Sequence, residues 1–323
     1  MREWTVQTLL PIRLDNYLMQ QFPTLGIGRL NKALRENKIK LNGKKQPLST
    51  RVQNGDQIRL FLTDAQLGVA VPGGPVYLQA RADAEFLYED EGLLIVNKPA
   101  GIPVEGNVPD TLRNRVLRAL YNQGRPATDD AYPALCHRLD TGTSGLLLLA
   151  KDAETEAFLG EMIRSRTLRK YYLCVTFGRP QPPLATLNGF LRKDAARGLV
   201  RVLDGTGRPP ADAKPITTKY ETIAVSGRLA LLKVELVTGR THQIRAHLAS
   251  IGCPILGDSK YGNHAANREL RLKYQALCAW ELRFPSRIES PRFAALAGRT
   301  FYAPKPWYYA VSYTNIRAHE TTR

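Results

Sequence analysis

Acidic residues are scarce in this chain: 29 Asp and Glu stand against 46 Lys and Arg in 323 residues, a net charge of +17. That imbalance says little about fold, but it favours polyanionic partners, nucleic acid first and an anionic membrane surface second. Long apolar runs are missing too. No stretch reaches the roughly 18 to 20 uncharged apolar residues that would cross a bilayer, and Met1-Arg2-Glu3-Trp4 is not expected to begin a signal peptide. A cytoplasmic protein is therefore expected, without membrane attachment. Cysteine is rare as well: Cys136, Cys174, Cys253 and Cys278 lie far apart, with no C-x-x-C pair. Neither a disulfide framework nor a cysteine-based zinc site is suggested, and a reducing compartment fits.

The familiar cofactor and nucleophile signatures are also absent. The chain has no G-x-x-x-x-G-K-[ST], no H-E-x-x-H, no G-x-S-x-G and no G-x-G-x-x-G after a strand. His242 and His247 stand five apart, a spacing that suits no shared metal. No metal and no cofactor are expected. Internal repeats and low-complexity tracts are not seen, and nothing points to an oligomer, so a monomer is expected.

What is present divides into two parts. Residues 1–65 hold 11 basic residues against 5 acidic ones, about a third of the excess charge in a fifth of the length. The spacing of Leu14, Tyr17, Leu18 and Phe22 predicts an amphipathic helix. A second helix, over about 28–37, turns Leu30 and Leu34 inward and presents Arg29, Lys32 and Arg35 on another face. Asn42-Gly43 and Asn54-Gly55 predict tight turns with positive φ between short strands. Residues 66–84, rich in Gly, Pro and Ala, read as a linker. From residue 85 onward, apolar runs of strand length ("LLIVNK", "GLLLLAK", "YYLCVTFG", "LALLKVELV") alternate with turns and with two helical patterns, "TLRNRVLRALYNQ" and "DAETEAFLGEMIRSR". Strands outnumber helices, and the hairpin-like stretch 184–223 has no crossover helix. The fold class is therefore α+β, with a mixed, largely antiparallel sheet flanked by helices and loops.

Chemistry concentrates in two polar clusters, each beside an apolar strand. In "CHRLDTGTSGLLLLAK" (136–151), His137, Arg138 and Asp140 precede a small-residue turn and four leucines. A buried carboxylate is costly unless something pairs with it or uses it. Thr141 to Gly145 are expected to donate backbone N–H and O–H bonds to Asp140, although composition alone would equally allow a capping aspartate in a turn. In "TGRTHQIRAHLASIGCPILGDSKYG" (238–262), Arg240, His242, Gln243 and Arg245 fall within six positions. Asp140 has no other cationic partner evident in its own segment, so the two clusters are expected to meet.

Taken together, the segments resemble the RluA-type family of RNA pseudouridine synthases. "HRLDTGTSGLLLLAK" is similar to that family's signature, and "YEDEGLLIVNKPAGIPV" (88–104) to its opening motif. Lys170-Tyr171-Tyr172 with Gly178 is similar to its K-x-Y…G segment, and 238–262 to its third motif. The resemblance covers about 85–305, in the expected order. Residues 13–62 resemble the small alpha-L-type RNA-binding module.

The resemblance implies an isomerase acting on structured RNA without cofactors. A uridine is flipped from its stack, its N-glycosidic bond is broken, the uracil turns over, and C5 is joined to the ribose. It implies Asp140 as the essential catalytic carboxylate, Tyr172 against the base, and Arg245 paired with the aspartate. Arg138 would fill the gap left by the flipped nucleotide. His137, Arg240, His242 and Gln243, with Arg29, Lys32 and Arg35 of the N-terminal module, are expected to contact RNA. Large-subunit ribosomal RNA is the substrate that family analogy favours, with transfer RNA as its rival. The organisation implied is an RNA-binding domain over 1–65, a linker over 66–84 and a catalytic domain over 85–323.

Overall fold

The computed structural model describes residues 2–8, 10–22, 25–62, 75–125, 132–194, 198–203 and 209–309. The chain divides into two compact units, residues 1–81 and 82–323. Part of the expected linker, 66–74, lies outside the described residues. The remainder is not featureless, because a 3-10 turn forms at Val76–Gln79 within the first unit.

The first unit contains β1 (Arg2–Thr5), β2 (Ile12–Arg13), α1 (Leu14–Gln21), α2 (Ile27–Arg35), β3 (Ile39–Leu41), β4 (Arg51–Val52) and β5 (Gln57–Leu60). Strands β1, β5 and β3 form an antiparallel sheet in that order, and β2 pairs with β4. The apolar face of α1 buries Leu14, Tyr17 and Leu18 in a core shared with Leu30, Ala33, Ile58 and Leu60. Asp15, in the first turn of α1, accepts from Asn16 N at 2.8 Å and pairs with Arg13 at 2.7 Å. A carboxylate there is favoured by the partial positive charge of the helix N-terminus. Helix α2 ends where Asn37 takes a left-handed conformation (φ 57°). Its second fully buried position is Ala33 rather than Leu34, and Arg29, Lys32 and Arg35 are exposed. Asn42 and Gly43 both have positive φ, as a two-residue hairpin turn requires, whereas at the second turn only Gly55 does.

The second unit is built on one sheet. Its strands are β6 (Glu85–Glu89), β7 (Leu93–Lys98), β8 (Ala134–Leu135), β9 (Ser144–Ala150), β10 (Arg169–Phe177), β11 (Leu184–Asp194), β12 (Leu199–Leu203), β13 (Lys214–Ser226), β14 (Leu229–Leu236), β15 (Leu277–Arg283) and β16 (Thr300–Tyr302). The main path runs β12-β11-β13-β14-β10-β15-β9-β7-β6, with β16 on β15 and β8 on β9. Among the described residues β9 and β15 form a parallel pair, and the other pairings in this sheet are antiparallel. The sheet is therefore mixed and largely antiparallel.

Strand alternation explains the four leucines of β9. Leu146 and Leu148 enter one core, with Leu93 and Ile95 of β7 and with Leu159 and Met162 of α4 (Ala153–Arg164). Leu147 and Leu149 enter another, with Leu94 and Val96, with Val116 and Leu120 of α3 (Leu112–Asn122), and with Ile244 and Leu248 of α5 (Gln243–Ser250). A strand covered on both faces loses the polar alternation of a half-exposed one and reads as a continuous apolar run. The helices start at side-chain caps: Asp152 accepts from Thr155 N, and Thr111 from Asn114 N.

The parallel contact brings the two backbones very close. Gly145 has φ +108°, and a Cβ there would stand 2.2 Å from the carbonyl oxygen of Ala279. Only glycine fits, and this fixes the strand that leaves the Asp140 turn. Gly145→Ala is expected to lower stability by about 2 to 5 kcal/mol through combined strain and overlap. A thermal or urea melt checks this, and an unchanged midpoint would refute it.

Candidate active site

Asp140 lies in the turn between β8 and β9, closed by Thr143 N donating to the Asp140 carbonyl at 2.9 Å. The turn is held from beneath. Lys98, at the end of β7, is completely buried and donates to the carbonyls of Pro99 (3.0 Å), Ile102 (2.8 Å) and Thr141 (3.0 Å). Burial pulls its pKa down to about 7, against the attraction of Asp140. Gln275 donates to Thr143 Oγ1 at 3.1 Å, and Gly101 N to the Thr141 carbonyl at 2.7 Å. The hydroxyl and amide groups of 141–145, expected to solvate Asp140, are thus not the donors to its carboxylate.

That donor is Arg245. Its Nη1 reaches Asp140 Oδ2 at 2.7 Å, while Nε and Nη2 form a two-pronged contact with Asp258 at 2.7 and 2.9 Å. Arg245 is buried on α5, and Asp258 is completely buried, accepting further from Lys260 N and Tyr261 N. Burial opposes the charge on Arg245, but the hydrogen bonds and charges of Asp258 and then Asp140 outweigh it, raising its pKa. Burial likewise opposes ionisation of Asp258, and Arg245 overcomes it, holding that carboxyl below its ordinary value. A quarter of the Asp140 side chain is exposed, and Oδ1 has no protein partner among the described residues. One oxygen is anchored, and the residue lines the cleft.

The rest of the site surrounds this carboxylate. His242 precedes α5 in a left-handed conformation (φ 55°), which turns its ring so that Nε2 lies 3.9 Å from Asp140 Oδ2 and Nδ1 lies 3.0 Å from Tyr261 Oη. Burial lowers its pKa, opposed by Asp140. Tyr172 on β10 is buried in the sheet-face core that α5 covers. Burial and then Asp140 raise its phenol pKa, so the hydroxyl keeps its proton. Asp140, Tyr172, Arg245, His137, Arg138, Arg240, His242 and Gln243 all line one cleft of about 1230 Å³, with further cations at Arg164, Arg166, Arg169, Lys170, Lys193, Lys260 and Lys273.

The structure separates the roles expected of these residues. Arg138 is exposed, with Glu105 3.4 Å away, and Arg240 is exposed at the cleft. Gln243 does not offer its amide to a ligand. It is buried, accepts from Thr238 Oγ1 and Arg240 N, and donates to Thr217 O and Thr218 Oγ1, so it ties the start of α5 to β13. His137 Nε2 accepts from Leu148 N at 3.2 Å, and burial pulls the ring down to about 3, keeping it neutral. Arg29, Lys32 and Arg35 belong to the first unit, exposed on α2. Cys278 is buried beside Ser144, which it faces across the parallel strand pair. Sequence reasoning missed Lys98, Asp258 and Tyr261. Lys98 left a signal as a charge ending an otherwise apolar strand, and Asp258 and Tyr261 lay within the 238–262 segment without being singled out.

Residues 92–250 match the family model described as RNA pseudouridylate synthase. The chain is 35% identical over 269 residues to ribosomal large subunit pseudouridine synthase C of Rickettsia bellii, covering 80% of this chain and 85% of the relative. It is 32% identical over 309 residues to the uncharacterized RNA pseudouridine synthase MG370 homologue of Mycoplasma pneumoniae, covering 92% and 93%. Among solved structures, human RNA pseudouridylate synthase domain containing 4 superposes with a TM-score of 0.58 at 25% identity, over 72% of this chain and 93% of that one. The chain belongs to the RNA pseudouridine synthase family, isomerases of uridine in RNA. Its relatives place it in the RluA-type group.

Asp258 is the test of the anchoring arrangement. Replacing it with Asn removes the charge that holds Arg245 and leaves a buried cation half-compensated. The expected cost is about 3 kcal/mol of stability. A urea midpoint unchanged from wild type would show that Arg245 is held by Asp140 alone.

Proposed function

We propose that this enzyme converts uridine to pseudouridine in large-subunit ribosomal RNA, with Asp140 as the essential carboxylate. The observation that carries the reading is the half-anchored Asp140. One oxygen is fixed by a buried arginine, the other has no protein partner among the described residues, and the residue lines a cation-rich cleft together with Tyr172. The flipped uracil stacks on Tyr172, whose protonated phenol is available to the sugar, and Asp140 Oδ1 meets the nucleotide. Arg138, exposed at the mouth, occupies the space the base leaves in the RNA stack, where a guanidinium both stacks and pairs with phosphate. The chemistry is an isomerisation: the C1′–N1 bond breaks, a C1′–C5 bond forms, and the proton on C5 is exchanged for one on N1. The name of the Rickettsia relative favours ribosomal RNA of the large subunit over transfer RNA.

We infer that the first unit is an RNA-binding domain of the alpha-L type, acting through Arg29, Lys32 and Arg35. These cations are exposed on one helix of a unit that buries its apolar residues elsewhere, and their substitution would leave its core intact.

Carbodiimide mapping of pseudouridines in cells with and without the protein, complemented by wild type or Asp140→Asn, tests the first reading. Sites in large-subunit ribosomal RNA are expected to disappear and to return only with wild type. Asn is nearly isosteric, so RNA affinity should be retained. Restoration by Asp140→Asn would refute the role of the carboxylate. For the N-terminal unit, changing Arg29, Lys32 and Arg35 together to Gln is expected to reduce the slope of log affinity against log salt by about 2 to 3. An unchanged slope would mean that α2 does not touch RNA.

A further inference from the structure

Lys170 belongs to none of the ion pairs described above. It lies on β10 two residues before Tyr172, and alternate residues of a strand share a face. Its side chain therefore enters the same cleft about 7 Å from the tyrosine along the strand. The other enclosed lysines of this unit have acceptors: Lys98 has three carbonyls, Lys151 has Glu89 and the Asp90 carbonyl, and Lys233 has Glu281. Among the described residues, the Lys170 ammonium makes no hydrogen bond and no ion pair. Half-buried, it has its pKa pulled below the usual lysine range by burial, with no anion to offset the loss. Its surroundings give it none. A Cβ on Gly239 would stand 3.6 Å from Nζ, and the nearby His137 is held neutral by burial and then by the charge of Lys170 itself.

A desolvated cation without a counter-charge costs stability, and the cost is recovered when an anion arrives. We propose that Lys170 is a phosphate-binding residue of this site, its ammonium taking a phosphodiester oxygen of the nucleotide whose base lies on Tyr172. The proposal rests on the reading of this cleft as the uridine site. A phosphate suits the position because base and phosphate of one nucleotide are separated by a distance comparable to two residues of strand. It also satisfies a full positive charge where a uracil carbonyl would satisfy only one hydrogen bond.

The test uses uridine 5′-monophosphate and uridine as probes, titrated at low salt into the full chain as wild type, Lys170→Met and Lys170→Arg. Wild type is expected to prefer the nucleotide over the nucleoside by about tenfold. Lys170→Arg should keep the preference, and Lys170→Met should bring it to within about twofold while leaving uridine affinity unchanged. The Met variant should also melt at the same or a higher temperature, because it removes an uncompensated charge; a structural lysine would give a lower one. An undiminished preference in Lys170→Met, no preference in wild type, or a loss of uridine affinity in the Met variant would each overturn the assignment. A wild-type preference for the nucleotide in an enzyme that forms no pseudouridine in RNA would instead refute the catalytic reading and leave Lys170 as a phosphate contact.

Discussion

One guanidinium between two carboxylates organises the candidate site of the second unit. Arg245 is buried, and a buried cation is tolerable only with its charge and N–H groups satisfied. Asp258 meets most of that demand from the enclosed side and Asp140 completes it from the cleft. Because Asp258 takes the two-pronged contact, Arg245 cannot swing to follow Asp140, and the cleft carboxylate is positioned by a partner that is itself fixed. The remaining neighbours follow from this placement. His242 and Tyr261 pack around the pair, and Gln243 secures the helix that delivers the arginine.

The other side of the site depends on the sheet. β7 ends at Lys98, whose ammonium gathers three carbonyls, one of them from the residue after Asp140. β9 leaves the same turn through a contact with β15 that admits only glycine. The Asp140 turn is therefore held at its base by a lysine, at its exit by a backbone contact and at its carboxylate by an arginine. This triple restraint is how a polar turn keeps one geometry beside a core of leucines.

How much of this could be read in advance depends on what kind of group does the holding. The strands were legible because apolar runs bounded by turns are written in side chains, and Leu146–Leu149 matched a strand buried on both faces. That the Asp140 segment meets the Arg240–Arg245 cluster was legible because a carboxylate in an apolar setting calls for a cation, and Arg245 as the particular partner came from the family resemblance. Asp258 was not singled out, since nothing in "GDSKYG" itself marks its aspartate as buried, and its burial goes with the contact it makes with Arg245. The acceptors of Lys98 were invisible for a simpler reason: they are carbonyls, which every residue possesses. The engagement of Gln243 was not legible because a polar residue at a helix start looks available, and only the fold shows its amide already bonded to β13.

Asp140 and Arg245 are 105 positions apart, and the parallel partner of β9 begins only at Leu277. Such pairings are of high contact order, and each requires a long loop to close before it returns any stabilisation. During synthesis the Asp140 turn therefore emerges long before the arginine that orders it and the strand that supports it. A nascent or truncated chain ending before β15 can hold the residues of the centre without holding the centre itself. Assembly of the site is consequently tied to synthesis through β15 rather than to any local segment.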